Sequence, residues 1–342
     1  MTPERFEEIT GRYAGLRVVV IGDFCLDRYL EIDPARAETS IETGLPVHNV
    51  TRVRSQPGAA GTILNNLVAL GVGRLHPVGF CGEDGEGFEL RRALAAKPGV
   101  ALDHFLETPA RRTFVYCKPL IMEPGEPPRE LNRLDSKNWT ATPDAVATQV
   151  AKSLATLAAE ADAIIALDQV DVAETGVITA PVREALGSLG QTHPNLPILA
   201  DSRRGLRGFP PVIFKMNRGE LAALLDHETS IGLPAVREQA ATLAARNQRP
   251  VFVSLAEEGI VGAMANGATT HVPALPLRGE IDIVGAGDSV TANLATALAA
   301  GATLAEALEL ATLASSLVIH QLGTTGTASV SQMRQLAADH AR

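Results

Sequence analysis

The chain has 342 residues and a mass of 36.0 kDa, enough for one large α/β unit with an appendage. Hydrophobic residues make up 46% and charged residues 20%, an ordinary globular balance that excludes a disordered, collagen-like or disulfide-stapled chain. Lys and Arg number 30 against 39 Asp and Glu, and the formal charge of −9 argues against broad binding to nucleic acid or an anionic membrane while leaving room for a local basic pocket.

In chain order, Met1 to Arg12 mixes acidic and basic residues without the apolar core of a signal peptide, and no apolar run approaches the ~18 residues of a membrane span. The β-branched run Val18 to Ile21 reads as the first strand and is followed by Gly22-Asp23-Phe24. Two mixed polar and apolar stretches, Glu38 to Arg54 and Thr113 to Asp135, read as strands and loops of a small lid. Ala163 to Leu167, Pro197 to Ala200, Val212 to Phe214 and Val251 to Ser254 are further short strands between Ala- and Leu-rich helical stretches, the pattern of a doubly wound, mostly parallel sheet. Ser289 to Ala300 reads as a helix stopped by Gly301. Thr303 and Glu306 make a capping box for a second helix over Ala305 to Gln321, with Gly323 at its end. No long linker or repeat divides residues 1–342, so one domain is expected. Cys25, Cys81 and Cys117 are odd in number and widely spaced, which fits a reducing cytoplasm better than a disulfide framework or a zinc-thiolate site.

Walker, G-x-G-x-x-G, G-x-S-x-G and H-E-x-x-H signatures are all absent. The strongest positive feature is Asp282-Ile283-Val284-Gly285-Ala286-Gly287-Asp288-Ser289, directly before an Ala-rich helix. Glycines at a helix start let the backbone approach an anion, and the free N–H groups and helix dipole supply positive potential. A carboxylate at Asp288, beside those amides, can take a proton from an attacking hydroxyl while they stabilise a phosphoryl group in transfer. The same residues also suit a plain Gly-rich turn with Asp288 as a helix-end acid.

This segment resembles the D-T-x-G-A-G-D signature of the ribokinase-like (PfkB) family of carbohydrate kinases. Gly22 to Tyr29 is similar to the G-D-x-x-L-D-R-Y of heptose-phosphate kinases in that family, and Asn132-Arg133-Leu134-Asp135 to their L-R-L-D. Pro57-Gly58-Ala59-Ala60-Gly61 through Asn66 resembles the glycine-rich sugar-site helix, and Asn217-Arg218-Gly219-Glu220 the N-x-x-E motif. The resemblance runs from about Arg17 to Ser331. It implies a ribokinase-like fold and ATP-dependent phosphorylation of a sugar or sugar phosphate, with Mg²⁺ as cofactor, K⁺ as a further candidate, and the lid as the candidate surface for pairing of two copies. It implies no nucleotidylyltransferase domain after the kinase within residues 1–342.

Residue by residue, Asp288 resembles the catalytic base, and Gly285, Ala286 and Gly287 the anion hole. Asp27, Gly58, Ala59 and Thr62 fall at the sugar site, with Arg133 for a substrate phosphate. Asn217 and Glu220 resemble the residues that organise Mg²⁺, mainly through water, and the nucleotide phosphates, although an N-cap Asn with a capping-box Glu is an equally good reading. Ser254, Gly259 and Thr312 fall at nucleotide positions, and Asp282, Val284 and Gly323 where relatives bind a monovalent cation.

The chain also departs from the family pattern. Ala59 replaces the second Gly of the sugar motif and Thr62 its Asn, Ala256 replaces a Gly in Ser254 to Gly259, Thr312 replaces an Asn, and Asp168-Gln169-Val170-Asp171 lacks the basic residue of D-Y-G-K-G. These changes touch substrate and adenine contacts and spare Asp288. Two competing readings are a nucleoside kinase of the same fold, stacking a base on Phe24, Phe114 or Tyr116, and a catalytically silent sugar-binding protein. Arg111, Arg112 and Lys118, with Arg133, are candidate cations for a substrate phosphate.

Overall fold

The computed structural model describes residues 1–226 and 232–340, so 341 and 342, the end of the expected domain, lie outside the described residues. After α1 (Pro3–Thr10), β1 (Arg17–Gly22) forms from the predicted β-branched run. Its alternating side chains enter opposite layers, Val18 and Val20 one core cluster, Val19 and Ile21 the other. Both faces of the strand are therefore covered. Each fully buried Val or Ile contributes about 1.5–3 kcal/mol, which explains the continuous apolar run.

The chain then leaves for the lid, with β2 (Phe24–Ile32), β3 (Glu38–Thr39), β4 (Pro46–Val47) and β5 (Val50–Ala59). It returns through α2 (Ala60–Ala69), β6 (Arg74–Gly82), α3 (Gly85–Ala95) and β7 (Phe105–Thr108). A second excursion supplies β8 (Phe114–Ile121), β9 (Arg129–Glu130) and β10 (Leu134–Ser136). The lid sheet runs β10-β8-β2-β5, with β9 on β8, and β3 and β4 form a separate hairpin. The lid thus begins at Phe24, well before the expected Glu38. Asp27 lies within β2, in the lid. The break is Gly22, where a Cβ would sit 2.2 Å from the Leu167 carbonyl oxygen, so the chain must turn there.

The remaining elements are α4 (Asp144–Ala158), β11 (Ala163–Asp168), α5 (Ala180–Thr192), β12 (Ile198–Ser202), β13 (Ile213–Asn217), α6 (Arg218–Leu224) and α7 (Leu233–Asn247). They are followed by β14 (Val251–Ser254), β15 (Ile260–Ala263), β16 (Thr269–Val272), α8 (Ala286–Ala299), α9 (Leu304–Val318) and α10 (Val330–His340). The central sheet among the described residues runs β16-β15-β14-β13-β12-β11-β1-β6-β7, parallel from β14 to β7 and antiparallel at β15 and β16. Strand order reverses beside β1, the kind of switch point at which open α/β sheets bind ligands at their carboxyl ends. Asp23, Asp168, Asp201, Asn217 and Ser254 all stand at that edge.

The expected helix Ser289 to Ala300 begins earlier, at Ala286, because Gly285 serves as its N-cap. The Thr303–Glu306 capping box forms, but α9 ends at Val318 rather than Gln321. No helix among the described residues is long and apolar enough to cross a membrane.

Candidate active site

Gly285 caps α8 with φ +84° and ψ −5°, a left-handed conformation that Gly adopts without strain. The Ala286 N–H turns back to the Ile283 carbonyl at 3.2 Å, whereas those of Gly285, Gly287 and Asp288 have no partner among the described residues. The free amides of this turn are therefore those of Gly285, Gly287 and Asp288, and Ala286, expected among them, holds the turn. Asp288 is the third residue of α8, half-buried with an opening to the cleft. Its carboxyl is pushed up to about 7, chiefly by desolvation and then by the charge of Asp201, with Lys215 opposing and Asp27 adding a further push. The field of Asp27 thus reaches the proposed base from the lid.

Asp27 is buried on β2. It sits in register with Gln56 of β5 and Tyr116 of β8, and Tyr116 with Asp135 of β10, so four polar side chains line one face of the lid sheet. Gly58 approaches Asp27 so closely that a Cβ would lie 2.6 Å from its Oδ2. Burial raises the Asp27 carboxyl while Lys118 and Arg133 lower it. Gln56 Nε2 donates to Thr325 Oγ1 at 2.8 Å, tying the lid to the α9–α10 loop. Thr62, buried in α2, brings its Cγ2 to 3.5 Å from the point a Gly285 Cβ would occupy, so the segments expected to form the sugar motif and the anion hole meet. Ala59 adopts φ 54°, ψ −116°, and Ala256 φ 51°; both stand where the family pattern has glycine and both carry positive-φ strain.

On the other side, Asn217 Oδ1 accepts from the Glu220 N–H at 2.9 Å and Glu220 Oε2 from the Asn217 N–H at 2.7 Å, a complete capping box on α6. One carboxylate oxygen of Glu220 remains for a ligand. Ser254 lies in register with Asn217 across β13 and β14. The Thr312 hydroxyl on α9 is buried without a hydrogen-bond partner among the described residues. Gly259 is fixed by packing, since a Cβ would lie 2.1 Å from the Val272 carbonyl oxygen. Asp282, Val284 and Gly323 do come together, but through N–H groups of Val284 (3.0 Å) and Gly323 (3.1 Å) donating to the Asp282 carboxylate. The three expected residues are thus brought together, with the Asp282 carboxylate held in place by two backbone N–H groups.

Two other expectations are corrected. Arg111 is buried, with its guanidinium donating to the carbonyls of Thr140, Ala141 and Thr175, so it braces the fold and is unavailable to a substrate phosphate. Phe24 packs edge-on against Phe105 at 5.3 Å and Phe114 against Phe80 at 5.9 Å, both in the core, and Arg133 covers the Tyr116 ring at 5.0 Å. Phe24 and Phe114 therefore present no free face to a nucleobase. The segment Asp168 to Asp171, which lacks its own basic residue, borrows cations from elsewhere: Arg204 reaches Asp168 at 2.7 Å and Lys137 reaches Asp171 at 2.7 Å.

Sequence reasoning missed Lys215 and Asp201. Lys215 Nζ donates to Asp201 Oδ2 at 2.7 Å, and Thr291 Oγ1 donates to the same oxygen at 3.0 Å. The signal available was a lysine inside the apolar run Val212 to Met216 two residues before Asn217, a placement that costs free energy unless the charge is paired. Asp23 was also missed; its buried carboxylate accepts N–H groups of Gln169, Val170 and Val177 and anchors the loop after β11.

A family model described as pfkB family carbohydrate kinase matches residues 16–330. The bifunctional protein HldE of Rhodospirillum rubrum is 32% identical over 336 residues, covering 97% of this chain and 64% of that protein. Its counterpart in Syntrophotalea carbinolica is 30% identical over 351 residues, covering 100% and 67%. The chain thus spans about two thirds of the length of these relatives. Among solved structures, Escherichia coli phosphofructokinase-2 in complex with potassium aligns with TM-score 0.73 at 19% identity over 96% of this chain and 100% of that one. Arabidopsis thaliana ribokinase complexed with ribose and ATP aligns with TM-score 0.65 at 18% identity, over 94% and 98%. Both likenesses describe the fold.

Proposed function

The chain belongs to the pfkB family of carbohydrate kinases, and we propose that it transfers the terminal phosphoryl group of ATP to a hydroxyl of a sugar or sugar phosphate. The observation that carries this reading is Asp288, placed beside amides at the start of α8 that have no partner among the described residues, with a carboxyl at about 7. Asp27 accepts sugar hydroxyls from the lid and orients one of them toward Asp288. Asp288 takes the hydroxyl proton as the oxygen attacks, and the amides of Gly287 and Asp288 hold the oxygens of the phosphoryl group. Closure of the lid sheet over the cleft excludes the water that would otherwise compete as acceptor.

Asp201, Glu220 and Asp288 share one ammonium, Lys215, and each carboxylate's field is felt by its neighbours. That surplus of negative charge fits a divalent cation. Mg²⁺ there would neutralise donor phosphate charge, with Glu220 and Asn217 holding it mainly through water. ATP phosphates would then lie along Asn217, with Ser254, Gly259 and Thr312 toward the base.

Lys118 and Arg133 both act on Asp27, which supports a substrate that already carries a phosphate. Exposed Val50 and Val53 on the edge strand β5, with Ile41 and Leu45 beside them, would be covered by a second copy in a lid-to-lid dimer. Buried, unpaired Cys25, Cys81 and Cys117 suit a reducing compartment, and we place the enzyme in the cytoplasm.

The test is a panel of free and phosphorylated hexoses and heptoses, with nucleosides as controls, read by ADP release. A sugar-phosphate-dependent rate supports the proposal, and a rate on nucleosides alone reassigns the substrate.

A further inference from the structure

We propose that Lys215 is a catalytic cation of this site, contacting the phosphoryl group in transfer, and that Asp201 and Thr291 position it; this rests on the kinase reading above. Lys215 lies on β13 two residues before Asn217, so both side chains leave the same face of the strand. Its side chain is 8% exposed. An ammonium has three donors, and one is used, on Asp201 Oδ2 at 2.7 Å. The other two have no partner among the described residues. A desolvated charge left so incompletely bonded is expensive, and the cost is met when an anion arrives.

The surroundings identify that anion. The Nζ atom is 3.2 Å from the point where a Cβ on Gly287 would lie, and Gly287 carries one of the free amides of the α8 turn. Ammonium and amide therefore border the same small space. The absence of a side chain at Gly287 is what permits this approach. One turn further along α8, Thr291 donates to the Asp201 oxygen that Lys215 also holds, at 3.0 Å, and Thr291 and Asp288 are three residues apart on one helix face. Asp201 thus fixes the ammonium under the turn and keeps it from collapsing onto Asp288, where an ion pair would remove the base. A phosphoryl oxygen at the α8 terminus would receive Lys215 Nζ and the Gly287 amide together, and a donor lacking the terminal phosphate would leave Lys215 without this partner.

The experiment compares binding of AMP-PNP and of ADP, each with Mg²⁺, by calorimetry. The native protein should bind AMP-PNP more tightly than ADP. Lys215→Met should erase that preference while ADP affinity stays within about twofold, and Lys215→Arg should keep part of it. Because Lys215→Met leaves Asp201 buried and unpaired, the double variant Lys215→Met/Asp201→Asn, which removes both charges, is measured alongside and should behave the same way. With a sugar acceptor, kcat should fall about 100-fold or more with little change in sugar KM. Retention of the AMP-PNP preference in the double variant, no such preference in the native protein, or equal losses for both nucleotides would overturn the assignment. If no sugar is phosphorylated, the kinase reading fails, and the nucleotide comparison still decides whether Lys215 meets a terminal phosphate.

Discussion

The Asp27 carboxylate rests on the bare Cα of Gly58: a Cβ there would stand 2.6 Å from Oδ2 and 2.7 Å from Cγ. No side chain fits without moving the carboxylate, so the glycine of the sugar motif is set by its neighbour on the adjacent strand. Gly58→Ala should raise sugar KM steeply while leaving nucleotide affinity unchanged, and Asp27→Ala should do the same. Losing a charge-assisted hydrogen bond costs about 1.5–3 kcal/mol, or roughly 10- to 150-fold in KM. Equal effects on both ligands would make the pair structural.

Ala59→Gly should stabilise the protein. Its φ of 54° with ψ −116° is closed to residues with a Cβ. Relief of about 1–3 kcal/mol of strain outweighs the roughly 0.4–1 kcal/mol by which a new glycine favours the unfolded chain. Ala256→Gly, at φ 51°, should gain less, because that left-handed value is tolerated at smaller cost. Thermal unfolding should give a Tm about 2 °C or more above native for Ala59→Gly, and a lower Tm would contradict the strain.

Activity should fall on the acid side as Asp288 takes up its proton, with an acid limb in kcat/KM at or below about pH 7, because a bound cation favours the ionised carboxylate and moves the limb down. The stability effect runs the other way. A carboxyl raised in the folded state contributes stability that is complete below about pH 4 and lost as pH rises through about 7. Asp288→Asn should therefore raise Tm relative to native at pH 8 and lose that advantage at pH 4. A gain independent of pH would remove burial of the charge as its cause.

Lys118→Ala and Arg133→Ala should each reduce preference for a phosphorylated over a free sugar, since both cations face Asp27 across the lid. Arg111→Ala should instead lower Tm, because the carbonyls of Thr140, Ala141 and Thr175, the last of them buried, lose their donor. A change in phosphate preference from Arg111→Ala with native stability would contradict this division.

The parallel sheet, α8 and the Thr303 capping box were legible because periodicity and caps are local signals. The path of β2 was not. Phe24 to Ile32 looks like continuation of the first strand until Gly22 is known to touch Leu167, a contact 145 residues away in sequence. Asp288, Asp27 and the capping box of Asn217 were readable as motifs, whereas the Lys215–Asp201–Thr291 cluster joins two strands and a helix and has no motif spacing. The departures Ala59 and Ala256 could be read as missing glycines, but that both sit at positive φ needed the backbone.

The central claim is most directly tested by Asp288→Asn assayed against whichever sugar the native enzyme phosphorylates, with AMP-PNP affinity measured on the same preparation. Loss of the base should lower kcat by about 10²- to 10⁴-fold with AMP-PNP binding retained, because the Gly287 and Asp288 amides remain in place. A variant that turns over at near-native kcat would contradict the account.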